Sequence, residues 1–275
     1  MTDTAALLTI EPLRAFQDNY IWLLTRPGSD KACVVDPGDA DPVTAALQQR
    51  GLQLDSILLT HHHADHTGGV ADLVSRYNPQ IYGPAGSRIH GISIPVQQGS
   101  QITVLGCEFG VLEVPGHTLD HIAYFAPEQA DAGVPSPLLF CGDTLFAAGC
   151  GRLFEGTAEV MYTSLQKLAK LPANTLVYCA HEYTLANIRF AETAEPDNSA
   201  VKDRQKTDTR RLEQDRITLP TTIDMELRTN PFLRCHIQSL RDNAAPYMTA
   251  AHMPEAHQNE IEVFAAVRRW KDGFR

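Results

Sequence analysis

Thr60-His61-His62-His63-Ala64-Asp65-His66 follows directly on the apolar run Ile57-Leu58-Leu59. An apolar run that breaks into polar residues predicts a strand delivering a loop at its C-terminal end. In extended backbone, side chains at i and i+2 share a face. His61 and His63 can therefore converge on one point while His62 turns away, toward solvent or a supporting role. After the turn, Asp65 and His66 can aim at a second point close by. Imidazole and carboxylate without thiolate form the donor set of a catalytic divalent ion (zinc, iron or manganese) rather than of a closed cysteine-rich structural site. An expression tag would be terminal and uninterrupted, and this run is internal with an aspartate in it.

Working outward, three more segments have the same strand-then-loop character. Val111-Leu112-Glu113-Val114 alternates and is broken by Pro115-Gly116, which places His117 just past a strand end. Leu138-Leu139-Phe140-Cys141 is a buried-strand run ending at Gly142, so Asp143 takes the loop position. Leu176-Val177-Tyr178-Cys179 repeats the pattern and delivers His181. One histidine or aspartate after a strand is usually structural, but four strands each delivering a donor make a site, because functional groups collect on loops held by a rigid scaffold. His90, His121, His236, His252 and His257 lack such a pattern and read as structural or solvated.

At 275 residues and 43% apolar, the chain can bury a substantial core. Short apolar runs alternate with turns up to about residue 180, at Ile21–Leu24, Ala32–Val35, Ile57–Leu59, Gln80–Tyr82 and Ile102–Leu105, with helical patterns at 41–50, 68–77 and 158–170. Beyond His181 the patterns are helical, at 184–194, 198–216, 236–243 and 255–272. A linker-like stretch with Pro220 and several threonines covers 217–230. The charged segment 202–216 has no continuous apolar face and reads as a solvated helix. The proline-containing insert 126–137 reads as a surface loop.

Twenty-three basic against 33 acidic residues give a net charge of −10, which argues against a nucleic-acid partner. An anionic substrate would need a local basic group to capture it against this overall field. No run approaches the roughly 18 to 20 apolar residues of a membrane span. Met1 to Ala6 lacks the features of a secretory signal, so a cytoplasmic protein with no membrane partner is expected, and a monomer. The six scattered cysteines, several inside apolar runs, read as buried thiols.

His61-x-His63-x-Asp65-His66 with His117, Asp143 and His181 resembles the metallo-β-lactamase superfamily. The whole chain is similar to its glyoxalase II branch, the hydroxyacylglutathione hydrolases. That closer likeness rests on Phe16-Gln17-Asp18-Asn19-Tyr20, on Gly142-Asp143-Thr144-Leu145-Phe146 running to Gly149-Cys150-Gly151-Arg152, and on His181-Glu182-Tyr183-Thr184. It also rests on Asn230-Pro231-Phe232 and Arg268-Arg269-Trp270-Lys271-Asp272. The resemblance implies an α+β fold, an αββα sandwich with a C-terminal all-α domain, divided as a metal-binding catalytic domain over 1–180 and a helical glutathione-binding domain over 181–275.

Carried over by residue, the resemblance implies one ion on His61, His63 and His117, a second on Asp65, His66 and His181, and Asp143 bridging them. Asp65 and Asp143 are then the catalytic carboxylates, and Arg152, Tyr183, Arg268 and Lys271 the glutathione contacts. Phe154 departs from the tyrosine common in the family and lacks its hydroxyl. Asp36 is either a partner of a metal-bound histidine or a plain turn aspartate.

Two divalent ions about 3.5 to 4 Å apart lower the pKa of a shared water toward about 7 and so supply a bridging hydroxide, and one of them can polarise a carbonyl. A thiolate leaving group, with a conjugate-acid pKa near 8.5, needs no strong general acid. The implied reaction is hydrolysis of S-2-hydroxyacylglutathione, typically S-D-lactoylglutathione, to D-lactate and glutathione, the second step of methylglyoxal detoxification. The rivals are a glutathione persulfide dioxygenase with a single iron and a non-enzymatic metal-binding protein. An exported lactamase and a nuclease are disfavoured by the N-terminus and the acidity.

Overall fold

The structure, a computed structural model, describes residues 7–248 and 259–274. His252, His257 and the start of the helix expected over 255–272 lie outside the described residues. The chain divides into two compact units, one of Met1–Glu113, Asp120–Gly142 and Asn174–His181, the other of Val114–Leu119, Asp143–Ala173 and Glu182–Arg275.

In the first unit, β1 (Thr9–Ala15), β2 (Asn19–Thr25), β3 (Lys31–Val35), β4 (Gln53–Leu58), β5 (Gln80–Pro84) and β6 (Ile94–Val96) form one sheet in sequence order. β1, β2 and β3 pair antiparallel, and β3 to β6 run parallel. The parallel pairs need crossovers, supplied for β3–β4 by α1 (Ala40–Arg50), for β4–β5 by the short α2 (Ala64–Thr67) with α3 (Val70–Tyr77), and for β5–β6 by a loop over 85–93. Because β3 and β4 are parallel, Asp36 and the His61–His66 loop leave the sheet at one edge.

The period-2 alternation of strands decides what each face meets. Ile21, Leu23, Val34, Ile57 and Ile81 join Val43 and Leu47 of α1 and Val70 and Leu73 of α3 in one buried cluster. Each such fully buried aliphatic side chain contributes roughly 1.5 to 3 kcal/mol. The intervening residue Trp22 points the other way and meets Tyr178 of the second sheet edge-on, ring centroids 4.9 Å apart. Its indole N–H donates to the Cys179 carbonyl at 3.0 Å, giving the buried ring its polar partner.

That second sheet contains β7 (Gln101–Val104), β8 (Cys107–Glu113), β9 (Ile122–Ala126), β10 (Leu138–Phe140) and the strand Leu176–Tyr178. The last two pair in parallel, so Gly142 and His181 also follow same-edge strand ends. All six cysteines are buried and none is in a disulfide, as expected. Burial pushes the Cys33 thiol up to about 12.

The second unit carries a short hairpin of Leu145–Phe146 with Gly149–Cys150 and the helices α4 (Ala158–Ala169), α5 (Thr184–Ala194), α6 (Ser199–Glu213), α7 (Ile223–Thr229), α8 (Gln238–Ala244) and α9 (Glu260–Gly273). Thr157 caps α4 by accepting from Val160 N, and Met161, Ser164, Leu165 and Leu168 form its buried stripe at helical spacing. Phe190 stacks on Phe232 and meets Trp270 edge-on, while Phe232 meets Phe264.

Two expectations are corrected here. The stretch 217–230 is no linker: Thr222 is the N-cap of α7, its hydroxyl accepting from Met225 N at 3.1 Å. Nor is α6 merely solvated, since Val201, Arg204 and Asp208 are buried. Arg204 pairs with Glu226 at 2.8 Å and Asp208 at 3.3 Å. Its inward stripe is ionic, so a search for apolar periodicity passes over it. Among the described residues no helix is long and apolar enough to cross a membrane.

Candidate metal centre

Asp36, at the end of β3, adopts a left-handed backbone with φ of 51°. Its Oδ1 accepts from Thr60 N at 2.8 Å, and its Oδ2 accepts from the Thr60 hydroxyl at 2.7 Å and lies 3.0 Å from His66 Nδ1. Thr60 gives its proton to Asp36, so its oxygen accepts from His61 Nδ1 at 3.0 Å. Both readings of Asp36 hold at once, as turn residue and as histidine partner. The turn is packed tightly beneath the ligand loop: a Cβ on Gly38 would stand 1.8 Å from the Asp65 carbonyl oxygen.

His181 is held in the same manner, its Nδ1 at 2.8 Å from Asp18 Oδ1. Fixing the Nδ1 proton on a partner leaves the Nε2 lone pair facing inward, as in the outer supports of metal-bound histidines. Accordingly His66 Nε2 and His181 Nε2 lie 3.4 and 3.5 Å from Asp65 Oδ2. One donor atom each from Asp65, His66 and His181 lie within 4.8 Å of one another. His61 Nε2 is 3.1 Å from His63 Nδ1, so these two also converge. His61, His66 and His181 are buried, and Asp65 is the more open edge of the group.

His62 faces away as the alternation requires. Its Nδ1 lies 2.9 Å from Asp120 Oδ1, Ser87 donates to the same carboxylate, and Arg88 reaches its Nε2. His121 stacks on His61 with centroids 4.5 Å apart and bonds the Ile122 carbonyl. Only a residue without a side chain fits beside it: a Cβ on Gly142 would lie 2.4 Å from Thr60 Oγ1 and 2.8 Å from the His121 ring.

In the second unit, His117 and Asp143 are brought together, Nε2 to Oδ2 at 3.3 Å, both buried. The Nδ1 of His117 is held by the Arg152 carbonyl at 2.9 Å. The Phe154 ring, exposed, lies 5.2 Å from the His117 ring. Tyr183 begins α5 and meets Phe146 edge-on at 5.2 Å. The Arg152 side chain is exposed.

The two cations of α9 differ. Arg268 is buried over the Phe232 ring, bonded to the Cys150 carbonyl at 3.1 Å and to Asp272 through Nε and Nη2. Lys271 donates to the Ala186 carbonyl at 3.1 Å. Burial first, then the nearby positive charges of Arg268, Arg189 and Arg152, lower its ammonium to about 8. An acidic chain thus concentrates four cations in one place of this unit.

Sequence reasoning passed over Asp18, Asn19 and Thr60 as working parts. A turn aspartate and a strand-end threonine carry no signal until the fold brings them to a histidine. The donor set, neutral imidazoles with outer acceptors plus carboxylates, suits a divalent metal ion.

Donor clusters suited to divalent ions on a two-sheet scaffold are those of the metallo-β-lactamase type. The model of the metallo-β-lactamase superfamily matches residues 15–181, and that of the hydroxyacylglutathione hydrolase C-terminus matches residues 182–274. A hydroxyacylglutathione hydrolase of Pseudomonas aeruginosa is 50% identical over 269 residues, 98% of this chain and 100% of that one. One of Chromohalobacter salexigens is 51% identical over the same shares. Among solved structures, a metallo-β-lactamase from Staphylococcus aureus superposes with a TM-score of 0.63 at 20% identity, covering 96% of this chain and 72% of that one. TTHA1623, solved in a di-iron-bound form, gives 0.55 at 27% identity over 82% and 100%.

The chain belongs to the hydroxyacylglutathione hydrolases of the metallo-β-lactamase superfamily. The fold is that of the superfamily followed by a helical C-terminal domain, as the sequence predicted.

Proposed function

We propose that this chain hydrolyses S-2-hydroxyacylglutathione thioesters, S-D-lactoylglutathione among them, to a 2-hydroxy acid and glutathione, with two divalent ions held by its own histidines and aspartates. The observation that carries this reading is the gathering of Asp65 with the buried His66 and His181, with Nδ1 of each histidine fixed on a carboxylate. His61, His63 and His117 would hold one ion, Asp65, His66 and His181 the other, and Asp143 both. Zinc is the first expectation, with iron or manganese open to the same donors.

When bound, such a pair of ions activates a water at neutral pH and polarises the thioester carbonyl. The chain does the rest. Asp36, Thr60, Asp18 and the Arg152 carbonyl hold the imidazoles of His66, His61, His181 and His117 in the tautomer that presents Nε2. Asp65 and Asp143 supply carboxylate charge beside the attacking water. The leaving thiolate is stable enough to depart without a dedicated acid.

The cations Arg152 and Lys271, together with Tyr183, would bind the glutathione carboxylates and backbone. Arg268, bonded to the Cys150 carbonyl and to Asp272, would add its positive charge to that group and to glutathione binding. With the division set at 180/181, the metal ligands would fall mainly in 1–180, His181 lying just past it, and the glutathione contacts mainly in 181–275, Arg152 lying before it. Six buried thiols, none in a disulfide, suit a reducing, cytoplasmic setting.

The test is loss of thioester absorbance on S-D-lactoylglutathione, run beside oxygen uptake on glutathione persulfide. Hydrolysis without oxygen uptake supports the proposal. Oxygen uptake with no hydrolysis would select the dioxygenase, and turnover of neither would leave a non-enzymatic metal protein.

A further inference from the structure

The turn between β1 and β2 ends two successive side chains on two neighbouring donor residues, His181 and Asp65. We infer that Asp18 and Asn19 are a positioning pair that assembles the Asp65–His66–His181 half of the centre. The inference rests on the metal reading above.

Asp18 Oδ1 lies 2.8 Å from His181 Nδ1. That contact fixes the proton on Nδ1, presents the Nε2 lone pair, and makes the imidazole a stronger donor. Asn19 acts on the neighbouring ligand. Its Nδ2 donates to Asp65 Oδ2 at 3.1 Å and lies 3.5 Å from the Asp65 carbonyl oxygen. An amide nitrogen can only donate, so it selects one rotamer of the carboxylate. The same Nδ2 is 3.4 Å from His181 Nε2, and one buried amide therefore spans both ligands.

The backbone ties the turn to its target. Asn19 forms an antiparallel bridge with His181, and Tyr20 N donates to the Ala180 carbonyl at 2.7 Å. The pairing of Ala15 with Asn19 leaves only residues 16–18 to close the hairpin, with Phe16 in the left-handed region at φ of 51°. A bulky residue is uncommon there. The tight closure sets Asp18 and Asn19 side by side at the ligands.

The plain alternative is turn chemistry, in which Asp18 and Asn19 shape the hairpin and nothing more. Metal titration separates the two. The metal-free protein is titrated with zinc in a chelator buffer, comparing wild type with Asp18→Ala, Asn19→Ala, Asp18→Asn and, as a control in the same turn, the exposed Gln17→Ala. Visible absorption after cobalt(II) substitution and the Tm of each metal-free variant are read alongside.

Both alanine variants should weaken the second ion roughly ten- to a hundred-fold while the first ion, the cobalt bands of that site and the metal-free Tm stay near wild type. Asp18→Asn still accepts from Nδ1 and should fall between, and Gln17→Ala should match wild type. Wild-type affinity for both ions in both alanine variants would overturn the inference. Equal loss of both ions with a lowered metal-free Tm would overturn it in favour of a structural turn. A wild-type chain that binds no ion would instead overturn the metal reading itself.

Discussion

At the residue scale, one imidazole in three separates ligand from neighbour. His62 is committed to Asp120 and Arg88 outside the centre, whereas His63 Nδ1 converges with His61 Nε2. His62→Ala should therefore retain its metal content and His63→Ala should lose about one ion per chain, measured by elemental analysis of the purified proteins. Equal loss in both would remove the alternation argument.

Lys271 makes a second prediction at this scale. Its ammonium is lowered to about 8 by burial and by the cations around it, and the charged form is the one that holds a carboxylate. Binding should weaken as pH rises through about 8, so kcat/KM for the glutathione thioester falls over that range. The penalty on the buried charge is fully present below about 8 and is relieved as the pH climbs toward the ordinary lysine value of 10.5. Lys271→Met should accordingly raise Tm at pH 7 while raising KM roughly ten-fold, about 1.4 kcal/mol, and flatten that pH limb. The convergence of His61 and His63, with His62 facing away, was legible because alternation in extended backbone is a strong signal. Asp18, Asn19 and Thr60 were not, since their roles depend on residues far along the chain.

At the element scale, the turn under the ligand loop and the ionic face of α6 are where local pattern and tertiary need diverge. Gly38→Ala would drive a Cβ to 1.8 Å from the Asp65 carbonyl oxygen, displacing α2 with Asp65 and His66. Expected outcomes are a lower Tm and loss of the second ion, read by calorimetry and metal analysis. Glu226 is fully buried and accepts from Arg204, Thr221, Ala148 N and Asn230 Nδ2.

Removing the Glu226 carboxylate takes the closer of two carboxylate partners from the buried Arg204 and the acceptor from three other buried donors, so Glu226→Ala should cost about 3 to 5 kcal/mol in denaturant unfolding. A cost within the range of a surface substitution would show the network to be dispensable. Helices with apolar stripes, such as α1, α4 and α5, were readable from periodicity to within a residue or two. β1 was not, because Pro12 and Arg14 interrupt its alternation. α7 was hidden because its capping threonine resembles a linker residue.

At the scale of the whole molecule, a chain of net charge −10 is proposed to bind an anionic thioester. The local cations of the second unit answer that difficulty, and their effect should be screened by salt. KM for the glutathione thioester should rise with ionic strength, while a short thioester without carboxylates should be indifferent. The family and fold were legible from the His61–His66 run and the C-terminal segments together, because that run, His117, Asp143 and His181 each follow a readable strand.

The most direct test of the central claim is a reconstitution titration. Metal-free protein is supplied with zinc or manganese, and hydrolysis of S-D-lactoylglutathione is followed against ions bound per chain, for wild type and Asp143→Ala. The account predicts a wild-type rate that climbs with bound metal and levels at two ions, and an Asp143→Ala chain that holds one ion or none and stays inactive. Full hydrolysis by the metal-free chain, or a near-normal rate in Asp143→Ala with two ions bound, would contradict it.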